Sequence, residues 1–268
     1  MSQHHQVISV TEIWYSTWKI FSSHFIKFLF VAAIPLIISS LFMWSTVGSF
    51  VVSLKTLPDP REIFSASSGF VYFSIIAFII IIISQIWGAI AILVAAVYHK
   101  DIKLGTIFYK SLEYFWSFIL LVLLTAVVIT LGMVLSYIVI TLIGALMGLV
   151  NLSYLKDYFA LLNIVPALLS IFILFSLIFS PYFLIEAKVG AWQSMRKSYR
   201  LVKTYFFPIV IRLVIAYFIV YTLAFILKFI PYVGETLSVL LSVPLITIYT
   251  FVLYSDLKPK TEITNNAS

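Results

Sequence analysis

Apolar residues run through this chain in long blocks rather than at spaced positions, and short polar or basic stretches separate the blocks. Six blocks stand out: Phe25–Trp44, Phe70–Tyr98, Ser117–Ile140, Ala160–Ile185, Phe206–Ile230 and Thr236–Tyr254. Each is near or above the roughly 20 helical residues that cross a hydrocarbon core about 30 Å thick. An unpaired backbone amide in that medium costs several kcal/mol, so every block is expected to be α-helical. The pattern predicts an all-α fold, a polytopic membrane helix bundle with about six transmembrane helices.

The third block exceeds a single crossing. No charged residue occurs between Ser117 and Val150. A helix of that length would be roughly 50 Å long, well past a core of about 30 Å. Two readings stay open: one helix that protrudes, or a break near Gly132 or Gly144 with a partial return into the membrane.

Between blocks the pattern changes. Three stretches mix aromatic with basic residues, and each leads directly into an apolar block: Val10–Phe25, Ile102–Phe118 and Val189–Phe206. At about 100° per residue, Val10, Trp14, Trp18, Phe21 and Phe25 share an arc of roughly 80°. Trp192, Met195, Tyr199, Val202 and Phe206 do the same, with Arg196, Lys197 and Arg200 on the neighbouring face. Such helices are expected to lie in the headgroup layer, aromatic side inward and basic side toward anionic lipid. The predicted architecture is three pseudo-repeats, each an interfacial amphipathic helix plus a two-span hairpin. The copy at Ile102–Phe118 is the loosest and aligns only with a small gap. The whole chain, 1–268, reads as a single transmembrane domain with short polar tails at 1–8 and 256–268.

Composition agrees with the pattern. Of 268 residues 63% are hydrophobic and only 10% charged, and the mean hydropathy is +1.13. A soluble domain of this size has too little interior to hide that much apolar surface. There is no cysteine, which removes disulfides, thiolate nucleophiles and cysteine metal sites and suits a bacterial inner membrane. The first 24 residues lack the marks of a removable signal peptide, so the first apolar helix is expected to serve as the insertion signal.

The formal net charge is +7, and its placement matters more than its size. Lys19, Lys27, Lys100, Lys103, Lys110, Lys188, Arg196, Lys197, Arg200, Lys203, Lys258 and Lys260 fall on one set of connecting segments; only Lys55, Arg61 and Lys156 fall on the other. That asymmetry predicts both termini in the cytoplasm and residence in the cell inner (plasma) membrane.

Candidate chemistry is sparse. No HExxH-type zinc motif, Gly-rich phosphate loop or GxSxG elbow is present. His4, His5, His24 and His99 lack carboxylates at ligand spacing, and the acidic residues lie in loops or at span ends. The chain is expected not to be an enzyme, with no cofactor, no metal and no nucleic-acid partner. Apart from Lys27 in the first turn of the first span, only Arg212 and Lys228 carry charge within spans. Arg212, about 9 Å below the interface at about 1.5 Å per residue, fits an anchor that snorkels to headgroups. Its sharper alternative is an ion pair with Glu186. Pro35, Pro166, Pro181, Pro208, Pro231 and Pro244 interrupt apolar runs, as kinked membrane helices allow.

The run from Pro181 through Glu186 and Gly190 to Arg196, Lys197, Ser198, Tyr199, Arg200 and Leu201 resembles a signature in a group of six-span bacterial membrane proteins. The group includes the membrane domain fused to some glycerophosphodiester phosphodiesterases. The close of the last span, with Tyr254, Asp256 and Lys258, is similar to that group's ending. Tyr199 stands where the group commonly has tryptophan. The resemblance implies a six-span fold; the soluble hydrolase domain is not present in this sequence, so no reaction comes with it.

These readings converge on a non-enzymatic membrane protein. Its basic interfacial helices would contact membrane lipids through anionic headgroups, or a membrane protein partner or second copy, at the cytoplasmic face. Candidate headgroup or ion-pair residues are Glu186, Arg196, Lys197, Arg200, Lys203 and Arg212. The alternative is a transporter or channel subunit for a small amphiphile or lipid, drawn from the repeated span pairs and proline-interrupted helices.

Overall fold

A computed structural model describes residues 8–56, 60–99, 103–149 and 164–265, with side chains described for 8–45, 72–99, 103–146 and 164–258. The described chain is helical, with no strand among those residues. In chain order the helices are α1 (Val10–Ser23), α2 (Phe25–Thr56), α3 (Pro60–Val97), α4 (Leu104–Glu113) and α5 (Phe115–Leu149). They continue with α6 (Ile164–Leu177), α7 (Ser180–Glu186), α8 (Ala191–Thr204), α9 (Phe206–Leu227) and α10 (Gly234–Asn265).

Six segments are long and apolar enough to cross a membrane: Phe25–Ser45, Tyr72–Val97, Phe115–Leu146, Ile164–Glu186, Phe206–Leu227 and Gly234–Lys258. The chain is a multi-pass membrane protein. Expectation and structure differ mainly at the ends of spans, because an apolar helix continues until its backbone meets a competing partner, not where the hydrocarbon would stop. α5 resolves the ambiguity of the third block. It passes Gly132 and Gly144 without interruption and is 35 residues long. Glycine weakens a helix by only about 1 kcal/mol, far less than exposing freed amides to lipid. Lys55, Arg61, Lys100, Lys156 and Lys260, part of the charge asymmetry, lie outside the described side chains.

Three short helices, α1, α4 and α8, each end one residue before a long helix begins, at His24, Tyr114 and Tyr205. At these junctions the ladder is patched by tight bonds, such as His24 N–H to Phe21 O (3.3 Å) and Tyr205 N–H to Val202 O (3.1 Å).

The chain divides into two compact units. One is built from Trp116–Ile215 with the described ends of the chain, before Val10 and from Leu253 onward. The other is built from Val10–Phe115 and Ala216–Val252.

In the second of these, α2 and α3 form a closely packed hairpin. Gly88 on α3 lies against the Pro35 ring on α2, so near that an added Cβ would overlap the ring. One turn away, Gln85 Nε2 donates to Ser39 Oγ (2.7 Å), Ser84 Oγ donates to Ile81 O (2.9 Å), and the Ser39 and Ser84 hydroxyls stand 3.4 Å apart. A small residue for close approach plus a polar link is how apolar helices associate when lipid is as greasy as they are. α1 folds onto the same unit through Ile13, Thr17 and Phe21, and Trp14 meets the Tyr249 ring at 5.0 Å.

The first unit is organised around α8. It rests on α6 and α7, burying Ala191, Ser194, Met195, Ser198, Leu201 and Val202. The stripe Trp192, Met195, Tyr199, Val202 and Phe206 is divided: Met195 and Val202 are buried, while Trp192 is 64% exposed and Tyr199 44%. Ser194, Ser198 and Ala191 lie among the larger Met195, Leu201 and Val202 on the packed face, and their narrow side chains let α8 approach the backbone of the break between α6 and α7. In α1, Thr17 is likewise buried between Ile13 and Phe21, while Trp18 is 59% exposed.

Candidate functional site

The break between α6 and α7 creates the site. Pro181 carries no amide hydrogen, so the helix cannot run through it unaltered. The chain turns at Ile178–Phe179 and restarts at Ser180. Ser198, fully buried on α8, spans the gap: its hydroxyl donates to Ser176 O (2.9 Å) and its oxygen accepts from Phe179 N–H (3.2 Å). One side chain thus satisfies a donor and an acceptor released by the break, and it fixes α8 across the end of the span.

Helix α8 then presents its other face. Arg196, Lys197, Arg200 and Lys203 are all exposed, and none of their side chains makes a hydrogen bond or ion pair among the described residues. The helix contains no acidic residue. The cluster is therefore an uncompensated positive surface, with Lys203 in the last turn where the helix dipole favours a cation.

Beside it lies a groove of ≈ 400 Å³. Its walls are Val128 of α5, Phe172, Ile173, Ser176 and Leu177 of α6, and Trp192, Met195, Arg196 and Tyr199 of α8. Arg196 is the sole charged residue in that wall. Trp192 and Tyr199, two of the three aromatic residues on the helical arc, line this groove. A second groove, of ≈ 460 Å³, belongs to the other unit and is lined by Ala33, Leu36, Ile37, Ser40, Leu41, Trp44, Thr236 and Leu240. It has no charged residue in its wall.

Glu186 and Arg212 are not brought together. Glu186 pairs with Lys258 at 3.0 Å, because the last turns of α10 pass alongside α7. Tyr254 brings them there: it is fully buried among the rings of Phe179, Tyr182 and Phe183, at 5.9, 5.6 and 4.9 Å. The lysine also stands 5.9 Å from the Tyr254 ring.

Arg212 has a different task. Its Nε and Nη2 donate to Ile8 O (3.2 and 3.0 Å), and Nη1 donates to Pro208 O (3.0 Å). Ile8 N–H in turn donates to Asp256 Oδ2 (3.3 Å). Arg212 and Asp256 thus hold both sides of one peptide segment just before α1. Of the two tasks weighed for Arg212, the ion pair with Glu186 does not form; the side chain anchors the chain's own backbone.

Sequence reading found the basic cluster but missed the groove, whose walls come from three helices and leave no local pattern. It also missed the bridging role of Ser198, although the spacing of Pro181 and a small polar residue on the next helix was visible. No protein-family model, curated protein or solved structure matches this chain.

Proposed function

We propose that this protein is a non-enzymatic integral membrane protein that engages anionic lipid headgroups through the outward face of α8. The observation that carries this reading is the unpaired set Arg196, Lys197, Arg200 and Lys203 on a helix held rigidly at a span end by Ser198. Each basic residue near an anionic membrane surface contributes about 1 kcal/mol. Four on one face amount to a preference that survives purification.

The charge asymmetry along the sequence supports a location with α8 and both termini on the cytoplasmic side of the plasma membrane, where such lipid is available. The three short helices preceding long ones support a pseudo-repeat of interfacial helix and span pair. The resemblance of Pro181–Leu201 to six-span bacterial membrane proteins supports the same arrangement.

The test is replacement of all four basic residues by glutamine, followed by extraction in native lipid and mass spectrometry of what remains bound. The expected result is loss of anionic lipid with an unchanged melting temperature, since the four side chains form no hydrogen bond or ion pair among the described residues. Undiminished anionic lipid would overturn the reading.

A further inference from the structure

The groove under α8 has features that a merely basic surface does not require. It is apolar over nearly all its wall, it opens beside Arg196, and its lining draws on α5, α6 and α8 together. Its size falls within the range of roughly 300–1,000 Å³ typical of small-ligand sites. Its α6 wall, from Phe172 to Leu177, runs about 8 Å along the helix at about 1.5 Å per residue. One leaflet of hydrocarbon is about 15 Å deep, so an apolar groove of that reach accommodates part of one acyl chain.

The chemistry at its mouth selects the head. Arg196 contributes a planar guanidinium suited to bidentate contact with phosphate oxygens. Lys197 and Arg200 adjoin it on the exposed face, and no carboxylate on α8 competes. Trp192 and Tyr199, on the groove wall, are amphipathic rings suited to the boundary between chain and headgroup. The uncharged groove of the other unit offers apolar wall without any such head contact.

Resting on the proposal that α8 engages anionic lipid, we infer that this groove is a discrete site for one acyl chain of an anionic phospholipid, whose phosphate sits on Arg196. The structure supplies the reason for a fixed stoichiometry: the wall is built by packed helices and is held in place by the Ser198 bridge. Binding is therefore expected to saturate at one lipid, in contrast to the graded attraction of a charged surface.

The experiment uses the full chain in nanodiscs of phosphatidylcholine, titrated with phosphatidylglycerol and read by native mass spectrometry. Wild type is expected to retain one phosphatidylglycerol, and single-chain lysophosphatidylglycerol is expected to compete for the same place. Val128→Trp and Ile173→Trp, which fill the groove, are expected to weaken that retention by about tenfold or more while leaving the basic face intact. If the filled variants keep the bound lipid and the four-glutamine variant loses it, the groove inference falls and the surface reading stands. If the four-glutamine variant also keeps it, both fall. Where a filled variant fails to fold, competition on wild type decides: glycerol phosphate, a headgroup without a chain, is expected not to compete. Displacement by it, or retention of phosphatidylcholine equal to phosphatidylglycerol, would overturn the inference.

Discussion

Individual side chains in this protein are arranged around backbone groups that helices leave unsatisfied. Ser198 is the clearest case. It replaces two bonds lost at the Pro181 break, and no other described residue bonds to Ser176 O or Phe179 N–H. Removing one partner of a buried hydrogen bond costs about 1–3 kcal/mol; bonds within membrane bundles average nearer 0.6 kcal/mol. Ser198→Ala is therefore expected to destabilise the fold by about 1–3 kcal/mol, read as a lowered melting temperature in mild detergent, whereas Ser198→Thr retains the hydroxyl and loses less. Tyr114, at the junction of α4 and α5, gives a pH dependence. Burial pushes its hydroxyl above the usual tyrosine range, and a hydrogen bond with Tyr98 and the charge of Glu113 act in the same direction. An unfolded tyrosine releases its proton near pH 10. The stability this group contributes is thus present below about pH 10 and lost as pH rises above it, because the unfolded chain ionises first. Tyr114→Phe should lose less stability than wild type between about pH 9 and 11, measured as melting temperature across that range. Equal losses would show that other groups control the alkaline limit.

Helices show which features a sequence carries openly. The spans were legible because lipid demands continuous apolar helix, a constraint each block meets without help from its neighbours. The faces of α1 and α8 were legible only in part. Apolar periodicity singles out hydrophobic side chains, and Phe21, Met195 and Val202 of those arcs are indeed buried; the small polar Thr17, Ser194 and Ser198 that are buried beside them carry no such signal. Likewise Glu186 found Lys258 and not Arg212; spans whose order in space is not written in the sequence can bring either cation to the same end. Close approach also yields a prediction for the α2–α3 hairpin. Because a Cβ on Gly88 would overlap the rigid Pro35 ring, Gly88→Ala is expected to destabilise that hairpin by about 1–3 kcal/mol through overpacking. In an ordinary helix interior the same change would stabilise. A rise in melting temperature would mean the two helices separate readily.

At the scale of the molecule, the segments that carried the resemblance meet in one unit. Pro181 sets the break, Ser198 bridges it, Glu186 reaches Lys258, and Asp256 with Arg212 grips Ile8. They act as joints between helices. The remaining feature of that scale is α5. Its apolar stretch, Phe115–Leu146, holds 32 residues, and only 6% of its most apolar window is buried within the protein. Straight and upright, that stretch would be about 48 Å tall against hydrocarbon of about 30 Å. Fitting it flush by leaning alone needs an inclination of roughly 50°, beyond the 0–40° that membrane helices commonly show. The surroundings must give as well, and thin bilayers must give most. Reconstitution in a series of phosphatidylcholines should therefore show melting temperature rising with acyl length, and shorter lipids should promote clustering of copies along this helix. A protein built this way gauges the thickness of its host, and would settle wherever a cell keeps its membranes deepest.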